Sequence, residues 1–308
     1  SMEVNKVLLQ GTVIALRANY IIVNIKYNKA LLSIHNITNS SQCIQLICTK
    51  RNRLAYKGYS ISVGDRVVIE SIDWNLKRAI ISKLDCRKSF LSRPPVANVT
   101  DIIIVLSAKD PAFDFDQASR FLLAAEQTRL NISLLLNKVD LISSEENCSQ
   151  IKRLQSWGYF PLPVSVRNGY GMDHLLSQIK QMPLSVFCGP SGVGKSSLLK
   201  FFLPKESIEI GDLSVKLKRG KNTTRHVQLY SLAKGSLIAD TPGFNRPDLN
   251  IDPVGLQALF PEISSQLKEF SCKFRDCLHL DEPDCIVDKS WERYQQYKQI
   301  VEKMITSI

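Results

Sequence analysis

The first part of the chain, residues 1 to about 86, carries hydrophobic residues in short runs that alternate with polar positions. Many of the hydrophobic residues are β-branched, and Gly, Asn, Asp or Ser separates one run from the next. The runs are GTVIAL, YIIVNIKY, ALLSIH, DRVVIESID and RAIISKL. Short strands at this spacing are typical of a small all-β barrel or sandwich. The pattern therefore predicts a separate β domain at residues 1–86.

A different pattern begins at Asp101, where the hydrophobic runs become continuous. These runs are DIIIVLSA, NISLLLNKVD, YFPLPVSV, PLSVFCG and GSLIADTPG. Segments with helical spacing, such as DQASRFLLAAEQTRL and GMDHLLSQIKQ, lie between most of them. Strands that are apolar on both faces and alternate with helices predict a mostly parallel sheet with helices on both sides.

Two boundaries divide the chain into three predicted domains. Residues 87–100 form a basic linker in which the pair Pro94 and Pro95 excludes a helix. The α/β pattern ends near residue 250, so the middle domain is predicted at 87–250 and a helical, cysteine-bearing domain at 251–308. Its last segment has an apolar stripe that we interpret as packing rather than as a surface for RNA. The stripe consists of Trp291, Tyr294, Val301, Met304, Ile305 and Ile308.

Positive charge is concentrated at the start of the chain. The 308 residues have a net charge of +11, whereas residues 1–90 alone contain 14 Lys and Arg against 5 Asp and Glu. A basic first segment indicates a polyanionic partner, although a solvated basic surface would show the same composition. No hydrophobic run approaches the roughly 18 residues that span a membrane. We therefore expect no membrane association.

A phosphate-binding loop is indicated by the sequence GPSGVGKS, which follows the apolar run LSVFC and precedes the helical SSLLKFF. The glycines let backbone N–H groups converge on phosphate oxygens, and the helix N-terminus adds its positive end. Lys195 is expected to neutralise the β- and γ-phosphates, and Ser196 to bind Mg²⁺. The predicted nucleotide-binding residues are Gly189, Pro190, Ser191, Gly192, Val193, Gly194, Lys195, Ser196 and Ser197.

The base of the nucleotide is predicted from the sequence NKVD, which ends a second buried strand. Its residues are Asn137, Lys138, Val139 and Asp140. The Asp140 carboxylate can accept hydrogen bonds from guanine N1–H and the exocyclic amine together, whereas adenine offers no such pair of donors. A site built for one base rejects the other, because its own polar groups would be left unpaired. Ser165 and Val166 could direct a backbone N–H toward guanine O6. The predicted ligands are therefore GTP and GDP.

A third nucleotide element is the sequence DTPG, Asp240 to Gly243, at another strand end. We expect Asp240 to hold the Mg²⁺ shell and the Gly243 amide to sense the γ-phosphate. Thr223 and Thr224 lie where a switch could close over Mg²⁺, with Thr224 as a ligand, although both could simply start a strand. The predicted catalytic residues are Lys195, Thr224, Asp240 and Gly243.

A metal site is predicted in the last domain from the sequence CKFRDCLHLDEPDC. Three thiolates and an imidazole suit tetrahedral Zn²⁺, and four protein ligands leave no open position for water, so the site should be structural. The alternative is a group of buried free cysteines. The predicted ligands are Cys272, Cys277, His279 and Cys285. The other five cysteines are scattered, which favours reduced thiols. We expect a cytoplasmic protein, or an organelle stroma or matrix if a targeting peptide has been removed.

The order of these elements differs from that of ordinary GTPases, in which the NKxD segment follows the phosphate loop. This order indicates a circular permutation. The motifs RPPVANVT, NKVD, GPSGVGKSS, RGKNTT and DTPGF and the cysteine cluster resemble those of the RsgA or YjeQ family, circularly permuted GTPases that depend on the small ribosomal subunit.

The resemblance covers nearly the whole chain. It implies an N-terminal OB-fold barrel, a central circularly permuted P-loop GTPase domain and a C-terminal α-helical zinc-binding domain. It also implies that the protein binds the small ribosomal subunit and its rRNA. The implied activity is GTP hydrolysis that the subunit stimulates, in support of late subunit maturation. We expect a monomer, and the candidates for RNA contact on the barrel are Arg51, Arg53 and Lys57.

The chain departs from the family pattern in its switch. Asn222 stands where the family usually has His, and Phe244 follows Gly243 where Ras-like enzymes have a Gln that orients water. Asparagine can hydrogen-bond a water but cannot take its proton, so the sequence leaves open which residue positions the water. The alternative functions are a nucleotide-gated rRNA-binding module with little turnover, or a P-loop kinase or ATPase.

Overall fold

The computed structural model describes the chain in the ranges 8–26, 43–51, 60–203, 226–232, 235–244 and 248–307. The chain divides into two compact units. The first unit contains Ser1–Asp101, Leu176–Phe187 and Ser196–Gly243. The second unit contains Ile102–Leu175, Cys188–Lys195 and Phe244–Ile308. Each unit therefore combines segments that are distant in the sequence.

The secondary structure of the described residues agrees with the predicted sequence of strands followed by alternating strands and helices. The strands are β1 Leu9–Leu16, β2 Ile21–Lys26, β3 Cys43–Lys50, β4 Arg66–Asp73, β5 Arg78–Leu84, β6 Phe90–Ser92, β7 Pro95–Ala97, β8 Asp101–Ser107, β9 Asn131–Asn137, β10 Leu162–Pro163, β11 Leu184–Cys188, β12 Leu229–Ser231 and β13 Leu237–Ala239. The α-helices are α1 Phe115–Gln127, α2 Ser144–Ser156, α3 Met172–Ile179, α4 Lys195–Phe202, α5 Pro253–Leu256, α6 Pro261–Gln266 and α7 Tyr294–Thr306. Every described helix is too short or too polar to traverse a bilayer.

Strands of the first unit close into a barrel in the order β1-β2-β3-β5-β4. Neighbouring strands are antiparallel except β3 and β5, which are parallel. Along β3, Leu46 and Cys48 are buried while Gln45 and Ile47 are exposed, as strand periodicity requires. The barrel core comprises Val13, Val23, Ile25, Ile44, Leu46, Cys48, Val67, Ile69, Ala79, Ile81 and Leu84. The predicted N-terminal barrel is thus confirmed, and the run ALLSIH lies outside the described residues.

The first unit also contains a group of strands from the middle of the chain. Strands β11 and β13 are parallel, with Leu184 opposite Leu237. Strand β12 is antiparallel to β13, with Leu229 opposite Ala239. The rings of Phe187 and Phe202 stack with centroids 6.1 Å apart, so the end of α4 packs on β11. This arrangement fixes the segments on either side of the phosphate loop.

In the second unit the strands lie in the order β10-β9-β8. Strands β9 and β10 are parallel, with Leu135 opposite Leu162. Every residue of β8 is buried, as the five consecutive apolar residues from Ile102 to Leu106 predict for the centre of the strand. Strand β10 is only two residues long, although the run YFPLPVSV is eight residues long. Hydrogen bonding to β9 continues just past the strand, where Val164 N donates to Leu136 O at 2.9 Å, and a turn begins at Val166.

The C-terminal segment folds around its own hydrophobic core, to which Leu123 of α1 contributes. The other buried members are Leu256, Leu259, Phe260, Ile263, Val287, Tyr294, Tyr297 and Val301. Tyr294 and Val301 belong to the apolar stripe that the sequence assigns to packing, and Trp291 and Met304 pack against the same core. The packing interpretation is confirmed for these residues, whereas Ile305 is exposed and Ile308 is outside the described residues.

An ion pair is buried beside this core. Arg293 Nε and one terminal nitrogen donate to the two carboxylate oxygens of Glu262, each at 2.7 Å. The other terminal nitrogen donates to Ser119 Oγ at 3.1 Å. The guanidinium carbon lies 4.9 Å from the Trp157 ring and 4.8 Å from the Phe260 ring. The guanidinium pairs with a carboxylate and lies against two aromatic rings. It therefore connects α1, the end of α2, α6 and the start of α7.

Candidate nucleotide and metal sites

The predicted base-reading segment, Asn137 to Asp140, begins at the end of β9. Asn137 is buried, and Lys138 adopts a left-handed conformation that turns the chain into the 3-10 helix Val139–Leu141. Helix α2 then starts with a capping box, in which Ser143 and Glu146 bond each other's backbone N–H groups. The position of Asp140 is therefore fixed by a strand end on one side and a capped helix on the other.

Asp140 contacts the second predicted base-reading segment directly. Ser165 Oγ donates a 2.7 Å hydrogen bond to Asp140 Oδ1. Ser165 is buried, and its backbone N–H donates to Tyr170 O at 2.9 Å. The half-buried Val166 follows it. A carboxylate held in this way by a buried hydroxyl keeps one orientation, which a bidentate contact to a base requires.

The phosphate loop contacts the base-reading segment within the second unit. Asn137 Nδ2 donates to Val193 O at 2.9 Å. Lys138 Nζ donates to Gly192 O at 2.8 Å and to Asp110 O. These contacts join two segments that the sequence separates by more than fifty residues. The structure therefore brings together the two nucleotide motifs whose order in the chain is inverted.

Glycine is required at both ends of the loop because atoms of other residues approach the backbone closely there. A Cβ atom on Gly189 would lie 2.3 Å from Val105 O, and one on Gly194 would lie 2.3 Å from Asn137 Nδ2. Both residues also have positive φ values, of 147° and 101°, which side-chain-bearing residues avoid. Within the loop Val193 is buried, whereas Ser191 and Gly192 are exposed.

Lys195 is the first residue of α4 and is mostly buried. Its Nζ donates to Gly189 O at 2.6 Å and to Pro190 O. Burial lowers the pKa of Lys195, and the neighbouring Cys188 offsets part of this effect. Phosphate oxygens would supply the negative charge that stabilises its protonated form. Ser196 and Ser197 follow in the first turn of the helix and are exposed.

The DTPG segment lies in the first unit, directly after β13. Asp240 Oδ1 accepts from Gln228 N at 2.9 Å and from Thr241 Oγ1 at 3.0 Å. Gly243 N donates to Phe187 O at 2.6 Å, so its amide could reach a γ-phosphate only by exchanging this hydrogen bond. The hydroxyl of Ser196 and the carboxylate of Asp240 are hard oxygen donors, the kind that Mg²⁺ prefers. The predicted switch residues Asn222, Thr223 and Thr224 lie outside the described residues.

The four predicted zinc ligands converge. Their ligand atoms all lie within 4.8 Å of one another, and they belong to Cys272, Cys277, His279 and Cys285. His279 Nδ1 is 3.6, 3.5 and 3.4 Å from the three sulfur atoms. A tetrahedral site with zinc–sulfur bonds of about 2.3 Å and zinc–nitrogen bonds of about 2.0 Å separates sulfur from nitrogen by roughly 3.5 Å. The cluster thus fits Zn²⁺, as predicted.

Neighbouring groups orient the zinc ligands. His279 Nε2 donates to Gln257 Oε1 at 2.8 Å, which directs Nδ1 toward the sulfur atoms. Gln257 Nε2 in turn donates to Cys277 O at 2.8 Å. Burial raises the pKa of the Cys277 thiol to about 12, so a thiolate there requires a cation. Gln257 was not found from the sequence, because it precedes its partner by 22 residues and belongs to no motif.

Comparison with known proteins is consistent with this geometry. A sequence model of the family described as RsgA GTPase matches residues 84–250. The chain belongs to the RsgA GTPase family. Its predicted resemblance to that family and its class of enzyme, a GTPase, are therefore confirmed.

Relatives named "Small ribosomal subunit biogenesis GTPase RsgA" match nearly the whole chain. The protein of that name from Prochlorococcus marinus is 51% identical over 304 residues, which are 99% of this chain and 98% of the relative. The one from a Synechococcus species is 48% identical and covers 96% of this chain and 94% of the relative.

Two solved structures share the fold. YjeQ from Thermotoga maritima superposes with a TM-score of 0.75 at 26% identity, covering 97% of this chain and 99% of the other. YloQ, described as a circularly permuted GTPase, gives a TM-score of 0.78 at 24% identity and covers 100% of this chain and 99% of the other. The predicted fold class, a barrel followed by a permuted P-loop GTPase domain and a helical segment with a Cys₃His cluster, is confirmed.

Proposed function

We propose that this protein is a GTP hydrolase that binds the small ribosomal subunit and assists its late maturation. The observation that carries the proposal is the pair of contacts from Asn137 and Lys138 to the phosphate loop, because a residue that reads guanine must lie beside the loop that holds the phosphates. An adenine-specific kinase or ATPase has no use for such a reader. The names of the relatives support the subunit as the partner.

Each nucleotide residue has a proposed role. Asp140 reads the guanine base with support from Ser165, and the backbone of Gly189–Gly194 holds the phosphates. Lys195 neutralises the β- and γ-phosphates. Ser196 and Asp240 supply oxygen atoms to the Mg²⁺ shell, which compensates phosphate charge when bound. Thr224 as a Mg²⁺ ligand and Gly243 as a γ-phosphate sensor complete the proposal.

The proposed anchor on rRNA is the barrel. Residues 1–90 carry 14 basic against 5 acidic side chains, an excess that the rest of the chain lacks. Arg66, Lys77, Arg78 and Lys83 are exposed on its described strands and the β4–β5 turn. Arg51 forms an ion pair with Glu70 of the same barrel and is half exposed, whereas Arg53 and Lys57 lie outside the described residues. Phosphate neutralisation by such side chains releases counterions and makes binding depend on salt.

We retain the predicted division into domains at 1–86, 87–250 and 251–308 as part of the proposal. The first would bind rRNA, the second GTP and GDP, and the third Zn²⁺ as a structural ion. A cytoplasmic monomer is proposed, with an organelle stroma or matrix as the alternative compartment.

The deciding experiment is GTP turnover with and without isolated small ribosomal subunits. We expect slow basal hydrolysis that rises severalfold or more with subunits and disappears in Lys195→Ala. The stimulated rate should fall as salt rises, because the barrel contacts are electrostatic. Turnover that subunits leave unchanged at every salt concentration would contradict the proposal.

The same experiment separates the second candidate function. Asn222 replaces the histidine usual in the family, and Phe244 follows Gly243, so the described residues include no water-orienting Gln at that position. A nucleotide-gated rRNA-binding module would bind subunits more tightly with a GTP analogue than with GDP, yet show no stimulated turnover.

A further inference from the structure

The barrel contacts the β12–β13 hairpin within the first unit. Arg17, in the turn between β1 and β2, donates a 2.7 Å hydrogen bond from a terminal nitrogen to Gln228 Oε1. Nearby, Ser231 Oγ lies 3.8 Å from Cys43 Sγ. The barrel and the segment from Gln228 to Ser231 therefore share an interface, and the Arg17 contact is the more polar of the two.

Gln228 also holds Asp240. Its backbone N–H donates to Asp240 Oδ1 at 2.9 Å, and its backbone oxygen accepts from Asp240 N at 2.9 Å. The side chain of Gln228 thus faces the barrel while its main chain fixes the carboxylate that is proposed for the Mg²⁺ shell. A continuous hydrogen-bonded path runs from Arg17 through Gln228 to Asp240.

The hydrogen bond from Arg17 to Gln228 is exposed, so we expect it to contribute little to the stability of the fold. The side chain lies on the surface, where water competes for the hydrogen bond and makes its contribution to stability small. Its turn is closed by a separate backbone hydrogen bond from Arg17 N to Tyr20 O at 3.0 Å. Removing the guanidinium should therefore leave the barrel folded, and a functional effect would need another explanation.

We infer that Arg17 is a positioning residue for Asp240, acting through Gln228, and that a phosphate-rich partner on the barrel influences the nucleotide site by this path. The guanidinium has five N–H donors, of which one is directed at Gln228 and another at the Leu16 carbonyl oxygen. RNA phosphates at the barrel edge would compete for this exposed cation. The partner part of the inference rests on the proposed binding to the small subunit, whereas the Asp240 part rests only on the proposed role of Asp240 in the Mg²⁺ shell.

The chain offers a matched control. Arg78, on β5 of the same barrel, is exposed and has no side-chain hydrogen bond or ion pair to another described residue. Arg78→Ala removes the same charge and the same side chain as Arg17→Ala, but it leaves Gln228 untouched. Arg17→Lys keeps the positive charge and N–H donors without the planar guanidinium, and it should restore part of the effect.

The first measurement is the gain in affinity that Mg²⁺ gives to a non-hydrolysable GTP analogue, by calorimetry on the full chain. Loss of one supporting hydrogen bond of about 1 kcal/mol should reduce this gain about fivefold in Arg17→Ala and in Gln228→Ala. The double variant should lose no more than either single one, and Arg78→Ala should match the parent. Equal Mg²⁺ dependence in Arg17→Ala and Arg78→Ala, with both folded, would overturn the inference.

The second measurement uses small subunits. Arg17→Ala and Arg78→Ala should lose similar subunit affinity, since each removes one cation. Only Arg17→Ala should also lose stimulation of GTP hydrolysis at saturating subunits. Stimulation that survives equally in both variants would refute the path from the barrel. If the parent itself shows no stimulation, the proposed function fails, while the analogue-binding result still decides whether Arg17 positions Asp240.

Discussion

Asn137 Nδ2 donates a 2.9 Å hydrogen bond to the carbonyl oxygen of Val193, which lies 56 residues further along the chain. The base-reading segment therefore contacts the phosphate loop although it precedes that loop in the sequence. A nucleotide requires that its binding segments be neighbours in space, and the order of their connection is not constrained by the ligand. This contact is the structural reason why a permuted chain can retain both motifs.

Base selectivity should depend on Asp140. Asp140→Asn removes the acceptor for two guanine donors and should weaken GTP binding by about 3 kcal/mol, or roughly a hundredfold. Discrimination against xanthine nucleotides should relax at the same time. Competition binding with GTP, ATP and XTP checks both effects. The exposed Asp173, changed to Asn, serves as the control, and a parent-like Asp140→Asn would remove this residue from the base site.

Hydrolysis should depend on the Lys195 ammonium. Lys195→Ala should lower kcat/KM by at least about a hundredfold, because the charge that stabilises the transferring phosphoryl group is lost. The fold should remain, as judged by circular dichroism. Lys200→Ala, an exposed position later in α4, should retain full activity. Persistent turnover in purified Lys195→Ala protein would defeat the assignment.

Metal analysis should find about one zinc per chain, given four converging ligands. Cys277→Ser should lower Tm and release the metal, while the exposed Cys148→Ser should change neither. Gln257→Leu should lower zinc affinity by about 10- to 100-fold, since it orients His279. A chelator competition assay gives these values. Zinc retained at full occupancy in Cys277→Ser would exclude Cys277 as a ligand.

The buried pair of Arg293 and Glu262 should respond unequally to single and double substitution. Arg293→Ala leaves a buried carboxylate unpaired and should cost about 3–5 kcal/mol of unfolding free energy. The double variant Arg293→Met with Glu262→Leu should recover much of that loss. Chemical denaturation measures both, with Lys298→Ala on α7 as the control. Additive losses in the double variant would show that the pair is not coupled.

Glu126 should make stability depend on pH. Burial raises the pKa of its carboxyl, against opposing effects from the Tyr159 hydroxyl, which donates to it at 2.9 Å, and from Arg293. A raised folded pKa gives stability that is complete below the unfolded pKa and is lost as pH rises through the folded value. Glu126→Gln should therefore raise Tm at pH 8 more than at pH 5. The control Glu145→Gln, at an exposed position, should show no such difference. An equal change in Tm at pH 5 and pH 8 for Glu126→Gln would contradict the raised pKa.

The features that could be predicted from the sequence are those determined by residues close to one another in the chain. Strand β8 is buried throughout, and its five consecutive apolar residues, Ile102 to Leu106, indicate this directly. The loop glycines and the Cys₃His ligands likewise lie in single continuous stretches. For these residues the chemistry of a short segment is enough to decide structure and binding partner.

Contacts between distant segments could not be predicted in this way. The hydrogen bond from Arg17 to Gln228 spans 211 residues, and the one from His279 to Gln257 spans 22. Neither Gln belongs to a sequence motif. A glutamine that bonds an arginine at the surface and one that orients a metal ligand cannot be distinguished from the sequence alone. Strand β10 is also shorter than its apolar run, since a hydrophobic pattern does not show how many residues find a neighbouring strand to pair with.

The buried Arg293 has a consequence for how the chain matures during its own synthesis. It follows Glu262 by 31 residues and Ser119 by 174, and both of these partners leave the ribosome before it does. Segments of a nascent chain fold as they emerge, beginning at the N-terminus. Until Arg293 has been translated, the Glu262 carboxylate lacks the guanidinium that pairs with it in the folded chain. The second unit is therefore completed last. A chain terminated before Arg293 would keep the Glu262 carboxylate without its partner, and we expect it to be more susceptible to proteolysis.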